Sequence, residues 1–236
     1  MDFILLASAG AGAVIAWLHT VYAGRYLINQ VDEKRYINLP ALGTLAALVT
    51  LAASLLLGQY TLIPALAGLV SLLALAGATD LHYRRIPNVL TGYTAIYSIV
   101  VVPISIGYQF AQWWLPVLVG LAVAASIGLI FLILSLFTTH LGMGDVKYAP
   151  TLAFWVASLG VVYGLPGAIW LSGGLAFVAW LFLSFVLSLT FTAARALRKK
   201  KDGDPGVPFG IFMGVATVIV IPLLPYAVEL LCGCGV

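Results

Sequence analysis

The chain has 236 residues, 63% of them apolar and only 8% charged, with a formal net charge of +3 and a mean hydropathy of +1.11. Soluble domains carry about a quarter charged residues, so this composition excludes an ordinary water-soluble domain and predicts a polytopic membrane protein. The small positive balance gives no ground for nucleic-acid binding.

Apolar runs of roughly 18 residues suffice to cross the hydrocarbon core of a bilayer. The sequence predicts eight such runs, near 3–22, 41–57, 63–79, 89–106, 115–137, 148–163, 167–194 and 207–231. The expected fold class is therefore all-α: a polytopic integral membrane bundle of about eight transmembrane helices, forming a single domain over 1–236 without internal repeat or linker. Asp2 stands where a signal peptide would carry basic residues, and the first run is long enough to span, so it reads as a transmembrane segment. The second and third runs are short and separated only by 58–62.

Charge sets an expected orientation. All 11 basic residues fall within 24–40, 80–88, 138–147 and 195–206, whereas 58–62, 107–114 and 164–166 have none. The positive-inside rule then places the basic connections in the cytoplasm and both termini outside. Tyr60, Trp113, Trp114 and Tyr163 suit the opposite interface. Lys199, Lys200 and Lys201 read as a topogenic stop that also meets anionic inner-leaflet lipid. Cys232 and Cys234 are too close in sequence for an unstrained bridge and read as incidental, and no Cys-x-x-Cys zinc pattern occurs.

Six of the eight acids read as solvated: Asp2, Asp32, Glu33, Asp202, Asp204 and Glu229. Asp80 and Asp145 differ, because each abuts the same-side end of an apolar run, and acids at the membrane are functional candidates by default. Taken singly, Asp80 can pair with Arg84 one turn on, and Asp145 can be a helix-start acid favoured by the dipole. Taken together they can form a dyad in which two carboxyls share a proton and act as base and acid. In the stretch LGMGDVKY (141–148), Gly142 and Gly144 are expected to form a lip where backbone approaches backbone, so that an extended substrate pairs edge-on.

Gly142–Met143–Gly144–Asp145 is the GxGD signature of intramembrane aspartic proteases. Asp80 is followed after five residues by Ile86–Pro87–Asn88, and Val207–Pro208–Phe209–Gly210 comes later. This order resembles the type IV prepilin peptidases over about 63–225. Presenilins and signal peptide peptidases share GxGD, but their first acid follows a tyrosine and they close with Pro-Ala-Leu; here Thr79 precedes Asp80.

The resemblance implies a membrane aspartic endopeptidase, with no cofactor and no metal. It would cleave the basic leader of prepilins or pseudopilins, ahead of their hydrophobic helix, at the cytoplasmic face of the inner membrane. Asp80 and Asp145 would be the catalytic pair. Gly142, Gly144, Lys147, Pro208, Phe209 and Gly210 would contact substrate, with Lys147 also structural or electrostatic near the dyad. Larger family members carry four cysteines in two Cys-x-x-Cys pairs after the first span and methylate the new N-terminus. Residues 24–40 hold no cysteine, so peptidase activity without N-methyltransferase activity is expected.

Two rivals come from other classes. A transporter with an intramembrane acidic ion site would show an inverted repeat or a midmembrane acid, and the sequence shows neither. A metal hydrolase could use His82 and His140 beside the two acids, but boundary histidines are ordinarily polar interface residues. The expected partners are the prepilin substrate and membrane lipid, with no nucleic acid; the sequence leaves the oligomeric state open.

Overall fold

The computed structural model describes residues 3–28, 37–83, 85–107, 111–137, 143–164, 169–197 and 209–232. Among them are eight α-helices, a single 3-10 turn at Tyr60–Leu62 and no strand. The helices are α1 (Phe3–Ile28), α2 (Leu39–Leu57), α3 (Ile63–Tyr83), α4 (Asn88–Gly107), α5 (Trp114–Phe137), α6 (Met143–Val162), α7 (Ile169–Leu197) and α8 (Phe209–Cys232). A lipid-facing backbone has no water to bond, so apolar runs of this length close their hydrogen bonds internally as helices.

Seven of these helices are long and apolar enough to cross a membrane. The eighth is α6, which carries Asp145 and Lys147 near its start. It is packed against α4, α5, α7 and α8, and almost every residue from Tyr148 to Val161 is buried. A helix so enclosed need not be apolar toward lipid.

The short pair of runs forms two separate helices. Asn38 caps α2, its Oδ1 accepting the Ala41 N–H at 3.1 Å with Pro40 in the first turn. Gly58 ends α2 at φ +67°, where its N–H reaches the Ser54 carbonyl at 3.1 Å. The Tyr60–Leu62 turn then leads into α3.

At the end of the bundle that holds the two acids, helices run further than hydropathy predicts. The α1 helix continues to Ile28, α3 to Tyr83, and α6 begins at Met143. Apolar windows stop where polar side chains start, but the backbone ladder does not. The expected lip at 141–148 is corrected accordingly: from Met143 onward it is the opening of α6. The connection between α1 and α2 is likewise shorter than 24–40.

The centre of the bundle is α3, α8 and α6, with α1 and α2 on α3, α5 and α7 on α6, and α4 touching both α3 and α6. Buried polar bonds fix the rotation of these helices. The Trp155 indole donates to Ser98 Oγ at 2.6 Å and the Trp180 indole to Thr217 Oγ1 at 2.8 Å. The Tyr97 hydroxyl donates to the Ala65 carbonyl at 3.1 Å. Such bonds contribute about 0.6 kcal/mol each in a membrane.

Tyr97 crosses α3 at Gly68, where a Cβ would overlap its hydroxyl. Gly68→Ala should therefore destabilise the protein by about 1–3 kcal/mol through overpacking. Gly92 has open space around its Cα, and Gly92→Ala should stabilise by about 0.5–1 kcal/mol. Thermal unfolding of the purified protein in detergent measures both, and equal shifts would contradict this packing.

Candidate active site

Asp80 lies in the last turn of α3 and is only 6% exposed. Asp145 is the third residue of α6 and half-buried. The start of α8 comes between them. A Cβ on Gly210 would lie 3.1 Å from Asp80 Oδ2 and 3.3 Å from Asp145 Oδ1. The two carboxyls thus converge from different helices on one point, and only a glycine leaves that point free. The Ile211 N–H donates to Asp80 Oδ2 at 3.3 Å, so the backbone of α8 orients one acid directly.

Ile86 lies close to both Gly144 and Gly210. Its Cδ1 would be 2.7 Å from a Cβ on Gly210, and its backbone N would be 3.3 Å from a Cβ on Gly144. The close backbone approach at Gly144 is therefore to the chain's own Ile86 segment. Pro87 contributes its carbonyl to the Thr91 N–H at 3.0 Å, opening α4. Lys147 Nζ donates to Asn88 Oδ1 at 3.0 Å, tying the second turn of α6 to the first residue of α4. Phe209 is buried and packs on Phe185 and Phe131, with ring centroids 5.3 and 6.3 Å away. That contact anchors the start of α8.

The structure thus brings together Asp80, Asp145, Gly144 and Gly210, with Lys147 and Phe209 in supporting contacts. Gly142, Pro208, Arg84 and His140 lie outside the described residues. Among the described residues, no three His, Cys, Asp or Glu side chains gather closely enough to hold a metal.

Three participants escaped sequence reasoning. The Ile211 donor is a main-chain group with no side-chain signal. Asn88 was visible as part of Ile86–Pro87–Asn88, but nothing in the spacing pairs it with Lys147. Tyr148 is fully buried one turn beyond Asp145, within the field of Asp80, and its hydroxyl has no hydrogen-bond partner among the described residues. An aromatic in an apolar run reads as ordinary core.

Fold and site together define a polytopic membrane protein with a paired-carboxyl centre at one end of its helices. Residues 67–196, more than half the chain, match the type IV leader peptidase family, and the chain belongs to that family of proteases. No curated protein and no solved structure matches it. The matched segment contains Asp80, Ile86–Pro87–Asn88, Asp145 and Lys147 but ends before α8. Gly210 joins the site from beyond it.

Gly210→Ala should wedge the carboxyls apart. Proteolysis should fall at least about tenfold, the direction expected when paired groups lose their mutual geometry. Gly174→Ala, at a position with open space, should leave activity near wild type. Side-by-side assays at matched protein abundance test this; a fully active Gly210→Ala protein would contradict the placement of α8.

Proposed function

We propose that the chain is an aspartic endopeptidase that cleaves the leader of type IV prepilins or pseudopilins at the cytoplasmic face of the inner membrane, without methylating the product. The carrying observation is the convergence of Asp80 Oδ2 and Asp145 Oδ1 on the place a Cβ of Gly210 would occupy. Membership of a leader peptidase family supports the substrate class. The confinement of all basic residues to the acid-side connections supports the orientation.

Two carboxyls held across one gap share a proton, since both cannot easily ionise. The ionised member removes a proton from a water in the gap as that oxygen attacks the scissile carbonyl carbon. The protonated member donates to the carbonyl oxygen. Collapse of the tetrahedral intermediate breaks the C–N bond, and the proton held by the base passes to the leaving amine. One hydroxyl of the intermediate returns a proton to the other carboxylate as the carbonyl re-forms, which restores the shared proton. The Ile211 N–H keeps Asp80 aimed into the gap.

Asp80→Asn and Asp145→Asn should each reduce leader release by at least about a hundredfold, the scale of a lost general acid or base, while protein abundance stays constant. The double variant should be no worse than either single, because the pair acts as one device. Release by purified protein from a prepilin of the same host is read from product mass. An Asp145→Asn protein working at near wild-type rate refutes the dyad.

The absence of methyl transfer rests on the α1–α2 connection, which carries no cysteine and lies between Ile28 and Leu39. The cleaved substrate should keep its unmodified mass when the methyl donor is supplied. A product heavier by one methyl group would overturn this part of the reading.

A further inference from the structure

Helices α2 and α8 are joined at the end remote from the acids, where the Tyr226 hydroxyl donates to the Leu56 carbonyl at 2.7 Å. Toward the acid end they enclose a cleft of about 630 Å³, floored by α3. Its walls run from Asn38 to Val49 on α2 and from Ile211 to Ile219 on α8, over Val70 to His82 on α3. At 1.5 Å per residue each wall is roughly two to three turns long. Midway along the floor lie three small residues, Ala74, Gly77 and Ala78, with Gly214 on the α8 wall, and the rim residues Leu45 and Val215 are exposed.

We propose that this cleft receives the first turns of the substrate's hydrophobic helix and so delivers the preceding peptide bond to the acids. This rests on the leader peptidase reading above and adds where the substrate sits. Continuity is the first reason. Ile211 bonds Asp80 through its N–H and also lines the cleft, and Leu81 and His82 follow Asp80 on the floor. The cleft therefore begins beside the residue that bonds Asp80.

Shape is the second reason. A floor of small residues lets two helix backbones approach, which is how helices associate in lipid. Polarity is the third. The polar side chains of the lining are Asn38 and His82, both at the acid end. There a docked helix would present the four N–H groups of its first turn, which lack partners of their own. An acyl chain has no use for such a mouth. Two of the three helices that form it, α2 and α8, lie outside the segment that matches the family.

The test uses the full-length protein in lipid nanodiscs with a prepilin of the same host. A photo-crosslinking residue is placed at Leu45, at Val215 or, as an outward-facing control, at Leu129 on α5, which is 60% exposed. In an Asp80→Asn background that holds substrate uncut, Leu45 and Val215 should capture the first three turns of the substrate helix, and Leu129 should capture lipid. A second measurement compares cleavage of the full prepilin with that of a peptide truncated before the helix. Gly214→Leu, which fills the cleft, should lower the ratio of their kcat/KM values about tenfold. Crosslinks to lipid or a second copy alone, equal substrate capture at Leu129, or an unchanged ratio would overturn the cleft assignment. A wild-type protein that cleaves neither substrate would instead overturn the peptidase reading, and the cleft with it.

Discussion

Two carboxyl groups that both reach the space a side chain on Gly210 would fill constrain the elements around them. Their mutual repulsion and their removal from water both oppose this arrangement. It persists because each participant is delivered by a different rigid element: Asp80 by the end of α3, Asp145 by the start of α6, Gly210 by the start of α8. None can retreat alone. The α6 helix is enclosed, α8 is anchored by Phe209 between two other rings, and the second turn of α6 is tied to α4 through Lys147 and Asn88.

Glycine serves this end of the bundle in a different way from the helix interiors. At Gly68 the missing side chain makes room for Tyr97, a contact of helix with helix. At Gly144 and Gly210 it admits the Ile86 segment and the two acids. A turn-forming role, the usual inference for paired glycines, does not describe Gly144, which sits inside the first turn of α6. Absence of a side chain here is a steric requirement set by neighbours distant in sequence.

That distinction explains what could be read in advance. Eight helices were legible because the bilayer imposes one length on every apolar run, and the two acids because charge is so scarce that each needed a reason. Their pairing was legible only as shared depth and side. The helical nature of 143–148 was hidden, since Gly-Asp-Val-Lys interrupts the apolar pattern while leaving the backbone ladder intact. The contacts of Ile86 and Ile211 were hidden for a deeper reason, although Ile86 itself stood in the Ile86–Pro87–Asn88 motif. One acts through backbone and bulk, the other through an amide N–H, and neither property is written in residue type. Gly210 stood out only as part of a family motif; its position against both oxygens depends on how α8 packs on α3 and α6.

The bilayer also changes what a substrate cleft can accomplish. Moving a hydrophobic helix from lipid into an apolar cleft yields no hydrophobic free energy, because acyl chains are as apolar as leucine. Selection must come from close packing on the small-residue floor and from polar groups at the mouth, both of which depend on shape. Binding made in this way at a distance from the scissile bond serves mainly to position it. On the proposed reading labour is divided: α2, α3 and α8 would hold the helix, and the ends of α3, α6 and α8 would hold the reacting groups. Because α3 and α8 belong to both sets, a helix seated in the cleft would press on the two elements that carry Asp80 and Gly210. On that reading substrate packing would be linked to carboxyl spacing through Ile211, whose N–H bonds Asp80 and which itself lines the cleft.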